Sequence, residues 1–566
     1  MSADSGRVPL PLSEMLDRIG LQGEPLPAAQ SIGRARFGRE LVQSFRTLAN
    51  SLECQLADLH WKHEGSFPFI EGDVPYLVNN SGTLSADAAA VLCANCAEAP
   101  STDPIRVLEL GGGTGLFARY FLDECKRRCQ NESRDYYDRL TYWITDQSPA
   151  AVAQWRERDV FGPHASHVEI RVADSSTAHA LFAEPVRAVI ANYLLGVLPS
   201  TVVRHCEGRW EQLYVRTWIT SDVDLLRKYT ARTFDEIRAL ADSTEPERVG
   251  QLLSLLPLVE TEECFLPASP DDVSGLDARS AESRSGTWLH NMAALQCIQS
   301  LLPRLERDGF ILVHDYDAGP FGAGRASPAV QRYGSTIAVG VNFAALDRHV
   351  HSAGFESLKP AGDDRLQTHP RLMLRGALPG TREVFEARFA ATTRDDIAAL
   401  IIEGRRQAEA GWPAEALLSY KAALERSPYD WRVVGEASKV AIQLGDHATA
   451  LELARTAVAL NPWYAASLWN GLGDALAGLR RDREAHECYL QGCRIHPRDV
   501  ETNLRLAGSW LAHGDPSRSL EAVARGLAHD SDGMFRHLLL DKQQQAIDYL
   551  SIRWTAERQT AARKRR

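Results

Sequence analysis

The chain of 566 residues has no uninterrupted apolar run near the roughly 18 residues that a membrane span needs. Its N-terminus, MSADSGRVPLPLSEMLDRIG, lacks the apolar core of a secretory signal, and its acidic residues disfavour a mitochondrial presequence. Ten cysteines are too few for a disulfide scaffold in so long a chain. These absences predict a soluble, cytoplasmic protein in a reducing compartment, with no membrane partner.

An excess of positive charge is also absent, since 63 Lys and Arg face 74 Asp and Glu and the formal net charge is −11. That balance argues against a nucleic-acid coat or a general binder of anionic membranes. Hydrophobic residues make up 44% of the chain and charged residues 24%, as in ordinary folded proteins. At about 150 residues per domain, the length predicts roughly three or four units.

A repeat with a fixed period occupies the C-terminal third of the chain. Pro428, Pro462 and Pro497 recur at separations of 34 and 35 residues, which is the tetratricopeptide pattern of helix pairs. Each pair leaves an apolar face that only its neighbour covers, so residues 398–531 predict an all-α solenoid whose groove receives a peptide. The alternative is a helical cap that only stabilises or dimerises the rest of the chain.

Short apolar runs alternate with helical stretches before the repeats, which predicts an α/β fold with a mostly parallel sheet and helices on both faces. The predicted strands are 106–110, 142–145, 168–172, 187–191 and 310–314, with 336–341 and 371–375 as a later pair. The predicted regions are a helical N-terminal part (1–100), the α/β domain (101–376) with a helical insertion at about 218–305, a linker (377–397), the repeats (398–531), and a C-terminal helix with a basic tail (532–566).

The strongest chemical signal is a glycine-rich turn in RVLELGGGTGLFARYFL, where Gly111, Gly113 and Gly115 separate an apolar strand from a helix. Glycines let the backbone approach a ligand, and the N-terminus of the following helix offers free N–H groups to an anion. No Lys follows, which excludes a P-loop, and Leu116 replaces the last glycine of a dinucleotide fingerprint. Glu109 precedes the turn as a possible acceptor for an amine.

This turn resembles motif I of class I S-adenosylmethionine-dependent methyltransferases. The resemblance implies a Rossmann-like fold and S-adenosyl-L-methionine as the cofactor. It also implies that Glu109, Gly111, Gly113 and Gly115 hold the methionine end of that cofactor. A turn for another nucleotide, or a purely structural turn, is the alternative for this motif alone.

Polar residues also follow the next two predicted strands. Asp146 ends the second strand, at a place where a carboxylate accepts both hydroxyls of a ribose. Asp174 and Ser175 end the third strand, where this fold commonly binds the adenine amino group. Each acid alone could be an exposed loop carboxylate, but their common position on consecutive strands favours a cofactor site.

A narrower resemblance rests on the segments YWITDQSPAAVAQWRER, VIANYLLGVLPSTVV and STIAVGVNFAALDRHVHSAGF. These resemble the MidA-like methyltransferase family over roughly residues 40–376, most specifically at Asp146–Pro149 and Val341–Leu346. Mitochondrial members of that family methylate a protein arginine during assembly of respiratory complex I. Our prediction of a protein or peptide acceptor rests instead on the fused repeats, because such arrays present elongated peptide-binding grooves.

The chain departs from this family after the fourth strand, where Asn192 and Leu198–Pro199 are kept but the family's acids are replaced, for example by Tyr193 and Leu195. Arginine stays protonated below about pH 12, so an arginine methyltransferase needs carboxylates to orient the guanidinium. Their absence weakens arginine as the substrate.

Four residues at strand ends are the candidates for the chemistry. Asn192 and Tyr193 follow the fourth strand, and His314 and Asp315 follow the fifth, where ligands of open α/β sheets bind. Methyl transfer needs alignment and, for a protonated acceptor, a base, which we predict to be His314 or Asp315. Asn192 is also predicted to contact the cofactor. The alternative is that His314 is a packed strand residue and Asp315 a turn former.

No metal is predicted. Cys93, Cys96, Cys125 and Cys129 suggest a four-thiolate zinc site, but their spacing and apolar, helical surroundings favour buried structural cysteines. The overall prediction is a methyltransferase with a protein or peptide acceptor that the repeats recruit. Two alternatives stay open: a small-molecule methyltransferase whose repeats serve assembly, and a relict fold that acts as a scaffold.

Overall fold

The computed structural model describes residues 38–71, 82–177, 180, 182, 184–206, 208–269, 273, 287–318, 331–333 and 336–564. Much of the predicted helical N-terminal part, residues 1–37 and 72–81, therefore lies outside the described residues. Among the described residues, every helix is too short or too polar to cross a membrane.

The strands are β1 Arg39–Thr47, β2 Ile105–Leu110, β3 Leu140–Asp146, β4 Val168–Val172, β5 Val186–Asn192, β6 Thr201–Cys206, β7 Arg209–Thr220, β8 Glu260–Pro267, β9 Thr287–His290, β10 Leu305–Asp315, β11 Gln331–Tyr333, β12 Thr336–Ala338, β13 Glu356–Leu358 and β14 His369–Leu374. The helices before the repeats are α1 Leu52–Glu64, α2 Phe67–Glu71, α3 Thr83–Glu98, α4 Leu116–Glu132, α5 Pro149–Glu157, α6 Val223–Leu226, α7 Phe234–Ala241, α8 Pro246–Gly250, α9 Met292–Leu301, α10 Phe343–Ser352 and α11 Pro379–Phe389. The remaining helices are α12 Ala391–Glu409, α13 Pro413–Arg426, α14 Trp431–Gln443, α15 His447–Leu460, α16 Ala466–Gly478, α17 Asp482–Ile495, α18 Val500–Ala512, α19 Pro516–His529 and α20 Arg536–Lys564.

A seven-stranded sheet in the order β13-β14-β10-β5-β2-β3-β4 organises the first part of the chain. The strands from β10 to β4 pair in parallel, and β14 is antiparallel to both of its neighbours. The chain runs outward from β2 to β4 and then returns to β5 on the other side of β2. The topological switch point, where ligands of such sheets bind, therefore lies between the carboxyl ends of β2 and β5.

Both faces of this sheet are buried, which explains why its central strands are nearly continuous apolar runs. One face packs on α3, α4, α5 and α11 through side chains such as Phe121, Trp155 and Phe385. The opposite face packs on α9 and α10 through Ile298 and Leu346. The five predicted parallel strands are observed. Of the predicted later pair, 371–375 corresponds to β14, whereas 336–341 contains only β12, which pairs with β11.

A second, antiparallel sheet joins β1 to β7, β6 and β9, and β8 also pairs with β7. The predicted helical insertion at about 218–305 is therefore wrong, because β8 and β9 lie in it beside the short helices α6, α7 and α8. The prediction of a helical N-terminal part is also wrong where the structure has the strand β1. Most of β8 faces solvent, so its residues lack the apolar alternation that predicts a strand.

Consecutive helix pairs form the C-terminal array, which we define as residues 391–529: α12 with α13, α14 with α15, α16 with α17, and α18 with α19. The second helices of the pairs begin 34, 35 and 34 residues apart, which is the predicted step. Asp430, Asp446, Asp499 and Asp515 cap four of these helices by accepting a backbone N–H. The final helix, α20, packs on α19 and α18.

The predicted linker over 377–397 is wrong, because α11 and the start of α12 occupy it. Phe385 and Phe389 of α11 are buried in the core of the large sheet. The carboxylate of Glu98 accepts the N–H groups of Gly380 (3.1 Å) and Thr381 (2.9 Å) at the start of α11. The helix was not predicted because it begins with a Pro-Gly pair, which is typical of a turn.

Helix α4 has two packed faces. Phe121 lies in the core of the large sheet, whereas Tyr120 lies in a cluster with residues of the array. The Tyr120 hydroxyl donates to the carbonyl of Leu460 (3.0 Å), and its ring stacks on Tyr429 with centroids 5.8 Å apart. The array is therefore docked against the helix that follows the glycine-rich turn.

Candidate functional site

The glycine-rich turn needs its glycines for conformation and for space. Gly111, Gly113 and Gly115 have positive φ angles of 66°, 54° and 77°, which L side chains rarely adopt. A Cβ on Gly112 would lie 2.6 Å from the Ile144 side chain, so the turn lies tightly against β3. The turn connects β2 to the N-terminus of α4, at the switch point of the sheet.

Two consecutive carbonyls of the turn are held from outside it. The indole N–H of Trp155 donates to the carbonyl of Gly113 (2.9 Å). The hydroxyl of Tyr464, in the array, donates to the carbonyl of Thr114 (2.6 Å). The sequence offered no sign of the second contact, because 350 residues separate its partners.

Glu109 is buried beside the turn. Its carboxylate accepts the hydroxyl of Tyr142 at 2.8 Å. Burial raises its pKa to about 8, against the lowering effect of the Tyr142 hydrogen bond, and the nearby charge of Asp146 raises it further. A carboxyl with this pKa is mostly protonated at pH 7 and then donates as well as accepts.

Asp146 ends β3 and is bound to the turn. Its two oxygens accept the N–H groups of Gly113 (2.9 Å) and Ser148 (2.8 Å). Burial raises its pKa, while these two backbone N–H groups lower it. Each carboxylate oxygen has two lone pairs, so Asp146 can accept two further hydrogen bonds from a ligand.

Asp174 and Ser175 lie beyond the end of β4, beside Asp146, whose carbonyl accepts the N–H of Ala173 (2.9 Å). Asp174 is exposed, and its side chain accepts the N–H (2.8 Å) and hydroxyl (2.6 Å) of Ser176. Ser175 is buried, and its carbonyl faces the thiol of Cys297. The two predicted residues thus lie at the same sheet edge as Asp146 but differ in exposure.

Asn192 ends β5 directly across the switch point from the turn, since the preceding Ala191 pairs with Leu110 of β2. Its side chain is buried, and its amide nitrogen Nδ2 has no hydrogen-bond partner among the residues that the structure describes. A buried donor without a partner costs about 1–3 kcal/mol. A ligand acceptor at this edge would remove that cost.

Tyr193 follows Asn192 in a left-handed conformation, with φ of 51°. Such a conformation is uncommon for a bulky residue and costs on the order of 1 kcal/mol or more. Its N–H donates to the carbonyl of His314 (2.7 Å), and its ring lies 5.3 Å from the His314 ring and 5.5 Å from the Tyr316 ring. The structure therefore brings the predicted ends of β5 and β10 together.

His314 is buried at the end of β10. Its Nε2 lies 3.2 Å from the hydroxyl of Thr368, and its Nδ1 has no hydrogen-bond partner within the described part of the chain. Burial and the positive charge of Arg394 lower its pKa to about 3, so the ring is neutral at pH 7. Nδ1 is therefore a free acceptor or donor according to the tautomer.

Asp315 is also buried, but both of its oxygens are engaged. They accept the N–H groups of Gly196 (3.0 Å) and Tyr316 (2.8 Å). Burial raises its pKa to about 6, against the lowering effect of these backbone donors. These bonds connect the loop after β5 to the end of β10.

Several residues near His314 were missed in the sequence. Asp363 forms an ion pair with Arg371 (3.0 Å) and lies 3.3 Å from Nδ1 of His369, beside Thr368. His369 is paired with Asp315 across β10 and β14. The sequence could have indicated them only through the polar residues in and just before the predicted strand 371–375. Antiparallel pairing with β10 brings these residues to the edge of the sheet where His314 lies.

The predicted cysteine set is brought together in part. The sulfurs of Cys93, Cys125 and Cys129 lie within 4.8 Å of one another in the core between α3 and α4. Cys96 is buried but does not belong to this set. Within the described part of the chain, the three cysteines have no fourth potential metal ligand at this distance. The absence of a metal site stays a prediction.

A comparison with protein families matches the region that contains this edge. Residues 88–360 match a family described as "Putative S-adenosyl-L-methionine-dependent methyltransferase". The match confirms the predicted cofactor, S-adenosyl-L-methionine. It covers β2 to β13 and therefore contains the turn, Asp146, Asn192 and His314. A search of curated proteins gives no match.

Solved structures resemble both parts of the chain. An uncharacterised superfamily protein from Burkholderia thailandensis is 14% identical, with 66% of this chain and 97% of that chain covered and a TM-score of 0.38. The first tetratricopeptide domain of human RPAP3 is 23% identical, with 20% of this chain and 91% of that chain covered and a TM-score of 0.20. A tetratricopeptide protein of Thermus thermophilus is 19% identical, with 27% of this chain and 88% of that chain covered and a TM-score of 0.25.

The residues in the matched region, 88–360, fit this cofactor. Its carboxylate and amine suit a glycine turn at a helix N-terminus next to Glu109, and its ribose hydroxyls suit the spare lone pairs of Asp146. The unpartnered Nδ2 of Asn192 offers one more donor at the switch point. The polar groups at the ends of β2, β3 and β5 are thus complementary to the polar parts of S-adenosyl-L-methionine.

Proposed function

We propose that the chain is a methyltransferase that acts on a protein or peptide acceptor recruited by its tetratricopeptide array. The observation that carries the proposal is the switch point, where the glycine turn, Asp146 and the buried amide of Asn192 converge beside the buried His314. We assign Glu109, Gly111, Gly113 and Gly115 to the methionine end of the cofactor, Asp146 to the ribose, Asp174 and Ser175 to the adenine, and Asn192 to the methionine end from across the crevice.

S-adenosyl-L-methionine supplies an electrophilic methyl group on a positively charged sulfur. The residues of the chain then need to align a neutral acceptor, which loses its proton to solvent after the transfer. His314 is neutral at pH 7. In the tautomer whose proton is on Nε2, facing Thr368, its Nδ1 accepts a hydrogen bond from the acceptor and orients the lone pair that attacks. Tyr193 packs on His314 and forms a wall of the acceptor site. Asp315 is occupied by backbone N–H groups and keeps these strand ends in place.

A protein or peptide acceptor is favoured by the array. A groove of about 470 Å³ there includes Trp469, Leu472, Glu487 and Arg494, which combine apolar and charged contacts. Trp469 lies on α16, next to Leu468 in the cluster that packs against α4. A peptide in this groove would therefore be held on the part of the array nearest the cofactor turn.

Two experiments test the proposal with the full chain. Titration calorimetry with S-adenosyl-L-methionine and its demethylated product should give micromolar binding, and Gly113→Arg, which obstructs the turn, should abolish it. Incubation of the protein and cell extract with cofactor labelled on the methyl group should then label a protein fraction.

The outcomes separate the candidate functions. Label only in small molecules would contradict the protein acceptor and support a small-molecule methyltransferase. No binding of the cofactor would contradict enzymatic function and support a scaffold. A heat-inactivated sample of the protein is the control for labelling by enzymes already in the extract.

A further inference from the structure

We infer that the array is also a structural part of the cofactor site, with Tyr464 as a positioning residue for the glycine-rich turn. The inference rests on the proposed function, because it concerns the same turn. It differs from recruitment of an acceptor, since it assigns the array an effect on the cofactor even when no acceptor is bound.

The direct contact is the hydrogen bond from the Tyr464 hydroxyl to the carbonyl of Thr114 (2.6 Å). Tyr464 is 5% exposed and Thr114 is fully buried, so water does not replace this donor. The bond fixes the plane of the peptide between Thr114 and Gly115, and therefore also the direction of the Gly115 N–H. Trp155 fixes the preceding peptide in the same way.

Tyr464 is itself held by both parts of the chain. The side chain of Asn461 in the array accepts the Tyr464 N–H (3.1 Å). The guanidinium of Arg158 lies 4.8 Å from the centre of the Tyr464 ring and donates to the hydroxyl of Ser66 (3.1 Å). A tyrosine held in this way loses little further freedom when it makes its bond, so its hydroxyl can position the turn.

The array is also docked along α4, the helix that begins at the turn. Leu116 and Tyr120 of α4 share an apolar cluster with Trp431 and Leu468 of the array. Because the turn, α4 and the array form one packed unit, a ligand that shifts α16 changes the affinity for the cofactor, and the cofactor changes the affinity for that ligand by the same factor.

The test uses the full chain with Tyr464→Phe, which removes the hydroxyl and keeps the ring. We expect affinity for the demethylated cofactor to fall about tenfold in calorimetry, because a buried carbonyl loses its donor. Tyr429→Phe is the matched control. It also removes an interface hydroxyl, here a half-buried one whose partner is Glu124 (3.1 Å) and not the turn, and its affinity should stay within about twofold of the wild type.

The results distinguish this inference from the proposed function. If the wild type binds no cofactor, the proposed function fails. If the wild type binds and Tyr464→Phe binds equally well, the positioning role is overturned while the proposed function stands. Equal losses in both variants, with equal falls in melting temperature, would also overturn it, since they would reflect docking of the array in general.

Discussion

The two halves of the site differ in how they are built. The cofactor half, from Glu109 to Asp146, comes from one strand-turn-helix-strand segment. Glu109 and Asp146 are bonded within or next to this segment, whereas the carbonyls of Gly113 and Thr114 accept from Trp155 and from Tyr464 of the array. The acceptor half joins Tyr193 to His314 across the whole insertion and is completed by Thr368 from the approach to β14. The cofactor half is thus a mostly local unit with one distant contact, from Tyr464, whereas the acceptor half is built entirely by long-range packing.

The halves also differ in charge and in how many hydrogen bonds their side chains can still accept. Asp146 keeps spare lone pairs at a half-buried position, as recognition of hydroxyls requires. In the acceptor half, His314 is neutral and Asp315 already accepts two backbone N–H groups. This environment suits a neutral acceptor better than a guanidinium, in agreement with the missing acids after β5.

The largest expected effect separates the halves by function. His314→Ala should lower the rate of methyl transfer to the labelled protein acceptor about 100-fold, because the group that hydrogen-bonds and orients the acceptor is lost. Affinity for S-adenosyl-L-methionine should stay within about twofold of the wild type in calorimetry. A parallel loss of cofactor affinity would mean that the two halves are not separable.

The second effect concerns buried charge in the cofactor half. The pKa of Glu109 is raised to about 8, so the folded state binds a proton that the unfolded state releases above about pH 4.5. Stability should therefore fall as pH rises from about 5 to 8, by a few kcal/mol in order of magnitude. Glu109→Gln should remove most of this slope in melting temperatures.

The matched control for this variant is Glu64→Gln, since Glu64 is exposed at the end of α1. Its melting temperature should follow the wild-type dependence on pH. An unchanged slope in Glu109→Gln would show that the Glu109 carboxyl is ionised throughout this range.

A smaller effect is expected at the ribose position. Asp146→Ala should weaken binding of S-adenosyl-L-methionine by about 1–3 kcal/mol, because buried ligand hydroxyls would lose their acceptor. Calorimetry measures this directly. The affinity of Asp146→Asn, which keeps one acceptor oxygen, should lie between those of the wild type and Asp146→Ala. Equal affinity in all three proteins would refute the assignment of Asp146 to the ribose.

The smallest effect is expected at Asp174. Its side chain is exposed and bonded to Ser176, so Asp174→Ala should weaken cofactor binding by less than about 1 kcal/mol. The measurement is the same titration, with Asp146→Ala as the reference. A loss as large as that of Asp146→Ala would make Asp174 an equal partner in binding.

What could be predicted from the sequence follows the same division. The apolar runs of β2 and β3, the glycine turn and Asp146 lie close together in the chain, so spacing alone locates them. The contacts of His314 with Thr368 and of Tyr464 with Thr114 join distant segments and leave no local pattern. The insertion was mispredicted for the same reason, because β8 is defined by its pairing with β7.

The second sheet has a consequence for synthesis of the protein. β1 pairs with β7, and residues 48–208 must be made between them. At about 5–20 residues per second on the ribosome, β1 waits roughly 10 to 30 s for its partner. During that time its backbone donors and acceptors are open to other strands, so the growing chain depends on shielding by a chaperone or on slow encounter with other nascent chains.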